Sequence, residues 1–282
     1  MERYFFEMAG ISVEVVARAG TMPERFGLLR EIDGDGDCGA TDFLLDIVFE
    51  DGVEGGGFSA RATGVNSFEF GMRGVFCEID LNSGRGSLRS VRDESAVEYS
   101  MKLLFGALLA RRGGGLTHAA AVSRDGKGRI FCGPPGAGKS TLAGIAAGGR
   151  EAARVINDEL AAAVADGDGA GARVFALPEW AAAGTMRDAE AAGPRGVPLA
   201  AIYALSHARA GEATSFERLS GAEAAGAIFS NMRFALPALE AIRAAMDAAD
   251  ALRRAVPVAG MRLSLADAPR FWEVVDEFES RG

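Results

Sequence analysis

The chain is short of lysine, cysteine and long apolar runs, and each shortage excludes something. Of its 30 basic residues only Lys102, Lys127 and Lys139 are lysine, and the 39 acids leave a net charge of −9. An acidic chain of this kind is not held to nucleic acid by bulk electrostatics. Cys38, Cys77 and Cys132 have no metal-ligand spacing and no pairing pattern, which argues against a disulfide framework and for reduced thiols in a cytoplasmic protein. No stretch approaches the 18 or so apolar residues of a membrane span, so no membrane association is expected. The opening Met1-Glu2-Arg3-Tyr4-Phe5-Phe6-Glu7 carries an early acid and no uninterrupted apolar region, so no signal peptide is expected. The triplet Asp33, Asp35, Asp37 suggests a calcium loop. It fails that template at Cys38, where glycine is needed, and at Leu44, where glutamate is needed; it reads as an acidic turn.

What is present in excess is glycine, 38 of 282 residues. With the abundant alanine and arginine, this matches a G+C-rich coding sequence and carries no function by itself. One glycine cluster differs. Gly133, Pro134, Pro135, Gly136, Ala137, Gly138, Lys139 and Ser140, followed by Thr141, form a complete G-x-x-x-x-G-K-[ST] phosphate-binding loop. Its glycines let successive N–H groups turn inward around phosphate oxygens. Lys139 reaches the β/γ-phosphates, and the Ser140 hydroxyl can ligate Mg²⁺. Arg129 to Cys132 reads as a buried strand entering the loop and Ser140 to Ala147 as a helix leaving it, which places phosphate at a helix N-terminus.

The first hundred residues are β-rich, and residues 101–282 hold the loop. Alternation at Ile11–Val15, at Phe43, Leu45, Ile47 and Phe49, and at Val75, Cys77, Ile79 and Leu81 predicts short strands in an antiparallel meander. A helix is expected from Glu94 to Arg112, apolar almost all round and therefore buried. Leu116 to Val122 reads as one small-residue strand. Further strands are expected at Arg154–Ile156, Arg173–Leu177, Leu199–Leu205 (central) and Val256–Leu263. A helix starts near Leu236 with Pro237 in its first turn, Leu239, Ile242, Met246 and Leu252 on its buried side, and Glu240, Arg243, Asp247 and Asp250 facing away. A last helix carries Phe271, Trp272, Val275 and Phe278.

A nucleotide site needs an acid, because Mg²⁺ takes one or two carboxylates besides phosphate and water oxygens. Asp158, with Glu159 beside it, ends a short apolar strand, where a metal-binding acid or a catalytic base belongs; the plainer reading is a turn cap. His118 precedes the loop strand and either orients a hydroxyl or sits satisfied in a core. His207, after the apolar strand, carries a weaker claim.

The set Leu116-Thr117-His118-Ala119-Ala120-Ala121-Val122, Gly133 to Thr141, and Val155-Ile156-Asn157-Asp158-Glu159-Leu160 resembles the catalytic domain of HPr kinase/phosphorylase. It is similar, more closely, to the related uncharacterised and peptide-modifying kinases; the superfamily also contains ATP-dependent phosphoenolpyruvate carboxykinase. The resemblance covers roughly residues 100 to 282. It implies an α/β (α+β) fold with a P-loop nucleotide-binding core of that type. It also implies roles: Lys139 on the transferring phosphate, Ser140 and Glu159 on Mg²⁺, Asp158 as base and metal ligand, and His118 beside Asp158. Arg195, in the Arg195-Gly196 pair before the apolar strand, matches a family arginine that would stabilise transition-state charge. Glu159 stands where the bacterial regulators have Asp, and Val256 to Arg262 lacks a Pro-Gly-Arg-Asn run, which points away from HPr as acceptor and from phosphorylase activity.

The expected function is therefore Mg-ATP-dependent transfer of the γ-phosphoryl group to a hydroxyl, most simply serine, of a small protein, peptide or small molecule. The alternative is an ATP-binding regulator or assembly subunit that transfers nothing. A carboxykinase is disfavoured, since the additional basic and metal-binding residues it needs are not in evidence. Oligomerising members of the family make a homo-oligomer an expectation.

Overall fold

In the computed structural model, residues 2–18, 22, 30–31, 41–53, 57–72, 74–148, 153–177, 195–209, 211–233 and 239–281 are described. The Asp33–Asp37 turn, Cys38 and the expected helix start at Leu236–Pro237 lie outside them. The fold is mixed α/β with two mixed sheets, and the chain divides into two compact units, the first centred on Met1–Arg111 and the second on the residues from Arg112 onward.

The first unit has eight strands: β1 (Glu2–Met8), β2 (Ile11–Ala17), β3 (Arg30–Glu31), β4 (Phe43–Phe49), β5 (Ser59–Gly64), β6 (Ser67–Met72), β7 (Val75–Asp80) and β8 (Arg85–Ser90), ordered β3-β1-β2-β4-β8-β7-β6-β5. Alternation predicts an antiparallel meander. β5 to β8 form one, but β4 runs parallel to both β2 and β8. Period-two patterning dictates which face a side chain takes, not strand direction, so the parallel pairs were invisible to it. Phe43, Leu45, Ile47 and Phe49 all point into the core, as their alternation requires. Helix α1 (Glu94–Arg111) is capped by Asp93, whose Oδ1 accepts from the Ser95 and Ala96 amides at 2.9 and 3.3 Å. Every residue from Ser100 to Leu109 is buried.

The second unit contains β9 (Gly114–Thr117), β10 (Ala119–Arg124), β11 (Lys127–Cys132), α2 (Lys139–Gly148), β12 (Arg154–Asn157), β13 (Ala161–Ala165), β14 (Ala172–Phe175), β15 (Val197–His207), β16 (Ser215–Arg218), α3 (Gly221–Phe229), β17 (Met232–Arg233), α4 (Leu239–Ala255, joining this unit from Ala245), β18 (Val258–Leu263), a 3-10 helix (Leu265–Arg270) and α5 (Phe271–Ser280). β11, β15 and β18 are parallel neighbours, and the other pairs are antiparallel. The central strands are buried on both faces. Ala120, Val122, Phe131 and Tyr203 pack with α2 and α5; Ala119, Ala121, Ile130 and Ile202 pack with β13, β14, α3 and α4. That double burial explains their unbroken apolar runs. Trp272 ties α5 to α2 by donating Nε1–H to the Ala146 carbonyl at 3.1 Å, and Arg129 ties α5 to β11 by a bidentate pair with Glu279 at 2.8 and 2.6 Å.

Two expectations need correction. The stretch 116–122 is two strands, β9 and β10, broken at His118. And α4 does not bury Leu239 and Met246, which are 58% and 54% exposed; its buried residues are Ala241, Ala245, Ala248, Ala249 and Leu252. Small side chains allow close approach of the helix to the sheet, so size rather than hydrophobicity chose the face.

Glycine contacts yield opposite predictions at two positions. A Cβ on Gly114 would lie 2.3 Å from the Ala163 carbonyl oxygen, across the β9–β13 ladder. Gly114→Ala is expected to destabilise by about 1–3 kcal/mol. Gly226, exposed in α3, has nothing within 4 Å of its Cβ position, so Gly226→Ala is expected to stabilise by about 0.5–1 kcal/mol. Urea midpoints moving down and up respectively, at unchanged m-value, check both.

Candidate functional site

The loop 133–138 leaves the C-terminal end of β11 and delivers the chain into α2 at Lys139. Its turns need glycine where φ is +80° at Gly136 and +88° at Gly138. Ala137 is buried and donates its N–H to the Pro134 carbonyl at 3.1 Å, and Leu142 donates to Gly138 at 2.8 Å. The Lys139 ammonium turns back on the loop, donating to the carbonyls of Gly133 (2.8 Å) and Pro134 (3.1 Å). Burial holds its pKa below the usual lysine value, and the Arg233 charge pushes the same way.

His118 and the Asp158–Glu159 pair come to this loop by one topological device. β9 pairs with β13, β10 pairs with β12, and the chain passes between these ladders twice, at His118 and at Asp158–Leu160. The two breaks lie side by side. The Ala119 N–H donates to the Glu159 carbonyl at 3.1 Å, and the His118 N–H donates to the Asn231 carbonyl at 2.8 Å. Asp158 is buried, and the neighbouring Asn157 accepts the Leu177 N–H at its Oδ1 (3.2 Å).

The result is one cleft of about 440 Å³ lined by His118, Pro135, Gly136, Gly138, Lys139, Ser140, Thr141, Asp158 and Glu159. Gly133, Pro134 and Ala137 do not line it; they shape the loop behind it. Among the described residues no group of three or more His, Cys, Asp or Glu could hold a metal alone. Two carboxylates and the Ser140 hydroxyl on one cleft do suit a hard cation that completes its shell with ligand and water oxygens. His118 is held below the usual histidine value, first by burial and then by the Lys139 and Arg233 charges, with Glu159 opposing. It is therefore mainly neutral at pH 7.

Arg195 is exposed, outside the cleft lining, and uses its carbonyl to accept from Arg173 Nε at 2.8 Å. The arginine whose charge reaches the cleft is Arg233, on β17, paired to Leu116 of β9. No motif marked it, because a two-residue strand reaching back over a hundred residues leaves no periodic signal. The weakly rated His207 ends β15 and sets its Nε2 against the Gly136 carbonyl, with Cε1 3.6 Å from the Cβ position of Gly138. A carbonyl only accepts, so this nitrogen carries the proton.

Fold and cleft together define a mixed α/β protein with a glycine-loop cleft flanked by acids. The chain belongs to the family described as SynChlorMet cassette protein ScmC, whose model matches residues 75–279. No curated protein matches it.

Two measurements test this geometry. By NMR, the His118 ring is expected to titrate below 6.5. As pH falls from 6.5 towards that lower value, the unfolded chain takes up a proton that the folded one refuses, so this contribution to stability is lost. A ring titrating at or above 6.5 contradicts the burial argument. Separately, two-bond ¹H–¹⁵N spectra should show His207 protonated at Nε2 at pH 8; the other tautomer would rule out its bond to Gly136.

Proposed function

We propose that the protein is a Mg-ATP-dependent phosphotransferase acting on a hydroxyl, built on a P-loop core of the HPr kinase type. The observation that supports this most is the shared cleft: loop, Lys139, Ser140, Asp158, Glu159 and His118 line one cavity although the motifs lie up to 41 residues apart in sequence, His118 to Glu159. In this reading ATP is the donor substrate, cradled by the amides at Gly136 to Thr141. Lys139 leaves the Gly133 and Pro134 carbonyls for the transferring phosphate. Ser140, Asp158 and Glu159 would hold Mg²⁺, which when bound neutralises charge on the phosphate oxygens.

Asp158 accepts the proton of the acceptor hydroxyl as its oxygen bonds to the γ-phosphorus and the bridging P–O bond to ADP breaks. Neutral His118 accepts or donates one hydrogen bond beside it without adding positive charge that would weaken the base. Arg233 adds a cation near the transferring group. Catalysis of this kind is mostly positioning and electrostatics. The free, buried Cys77 and Cys132 suit a cytoplasmic setting where ATP is available. The family's description as a cassette protein directs the search for the acceptor to chains encoded beside this one.

The test is transfer of label from γ-labelled ATP to a panel of peptides, small proteins and small-molecule hydroxyls. Lys139→Ala is expected to abolish transfer, and Asp158→Asn to lower kcat by about 10²–10⁴ with nucleotide binding retained. Wild type transferring no more label than Lys139→Ala would remove the kinase reading. Tight ATP binding without turnover, indifferent to Asp158→Asn, would establish a nucleotide-holding regulator instead.

A further inference from the structure

The second unit carries another cavity, of about 480 Å³, which shares no lining residue with the glycine-loop cleft. It lies at the opposite end of the parallel strands. Lys127 begins β11, Pro198 and Ala200 lie early in β15, and Val258 begins β18, whereas the glycine loop follows the far end of β11. Its size falls in the range of small-molecule sites.

Three features make it more than a surface dent. First, β15 bulges there: Gly128 pairs with Leu199 and Arg129 with Ala201, which leaves Ala200 opposite no residue of β11, while pairing to β18 begins only at Ile202. The Ala200 backbone thus offers polar groups outside both ladders, as bulges beside binding sites do. Second, one wall is apolar: Pro198 and Pro257 are exposed on it and Phe278 is half-buried beside them, with Phe216 stacked behind Phe278 at 4.5 Å. Third, the charges are uneven. Glu279 is committed to Arg129 and to the Tyr203 hydroxyl (2.7 Å). Lys127 and Arg218 line the cavity with no carboxylate partner among the described residues, and Arg218 is held over the Phe278 ring at 5.0 Å. In a chain of net charge −9, two cations with no carboxylate partner among the described residues, beside an apolar wall, are complementary to one kind of molecule.

We propose that this cavity binds a small organic anion with a flat apolar body, of the aromatic carboxylate or sulfonate class. The apolar body lies against Pro198, Pro257 and Phe278, the anionic group meets Lys127 and Arg218, and a polar edge bonds the Ala200 backbone. The proposal goes beyond the phosphotransferase reading and does not depend on it.

The test uses the full chain and the aromatic sulfonate 1-anilinonaphthalene-8-sulfonate as probe, followed by fluorescence and by competition with 2-naphthoate. Saturable one-to-one binding, displaced by 2-naphthoate, is expected. The double variant Lys127→Glu/Arg218→Glu should weaken it at least tenfold while the thermal midpoint stays put. Should Arg218→Glu disturb folding by releasing Phe278, Lys127→Glu alone decides, with threefold or greater weakening expected. Binding that does not saturate, or an affinity indifferent to Lys127→Glu, overturns the proposal. Nucleotide binding serves as a control: it should be unchanged in these variants, and its presence or absence bears only on the glycine-loop cleft.

Discussion

The hydrogen bond from the Ala119 amide to the Glu159 carbonyl sits where everything else in the cleft converges. A strand that breaks inside a buried sheet strands its backbone polar groups, and such groups must be paired. Here two strands break at the same level, and each break satisfies the other. With Asn231 accepting the His118 N–H, three stretches of chain are locked at one point. The loop comes to lie beside the acids because β10 pairs with both β11, which leads into the loop, and β12, which ends just before Asp158.

Charge in the cleft is balanced rather than single-signed. Lys139, Asp158 and Glu159 line it together, and the Arg233 charge reaches it. Lys139 is buried, and its ammonium is satisfied by two loop carbonyls. His118, kept neutral by burial and by the two cations, responds to the same field. The opposite end of the parallel strands presents a different chemistry, cations beside an apolar wall, which is why the two cavities are read as separate sites.

Much of this was legible in one dimension. The strand, glycine loop and helix over Lys127–Gly148 follow from a short motif whose backbone torsions demand glycine at particular places. Asp158 and Glu159 stood out as acids ending an apolar strand. Where reading failed, the reason was packing. The seven residues Leu116 to Val122 look like one strand because every one is compatible with extended backbone; only pairing to two different ladders divides them at His118. Helix α4 was assigned its large apolar residues as the buried face, but the sheet accepts alanines there, and Leu239 and Met246 remain exposed.

Local structure, then, was written in the sequence: which residues form a glycine loop leading into a helix, which acids end a short apolar strand, which strands are buried on both faces. These depend on torsional preferences and periodicity over a few residues. The tertiary structure alone decided which distant groups meet. Arg233 reaches the cleft through a two-residue strand, His207 reaches Gly136 from the end of a parallel neighbour, and Ala200 is freed by a bulge. Each of these follows from strand pairing and register between segments far apart in the chain, for which no local pattern exists.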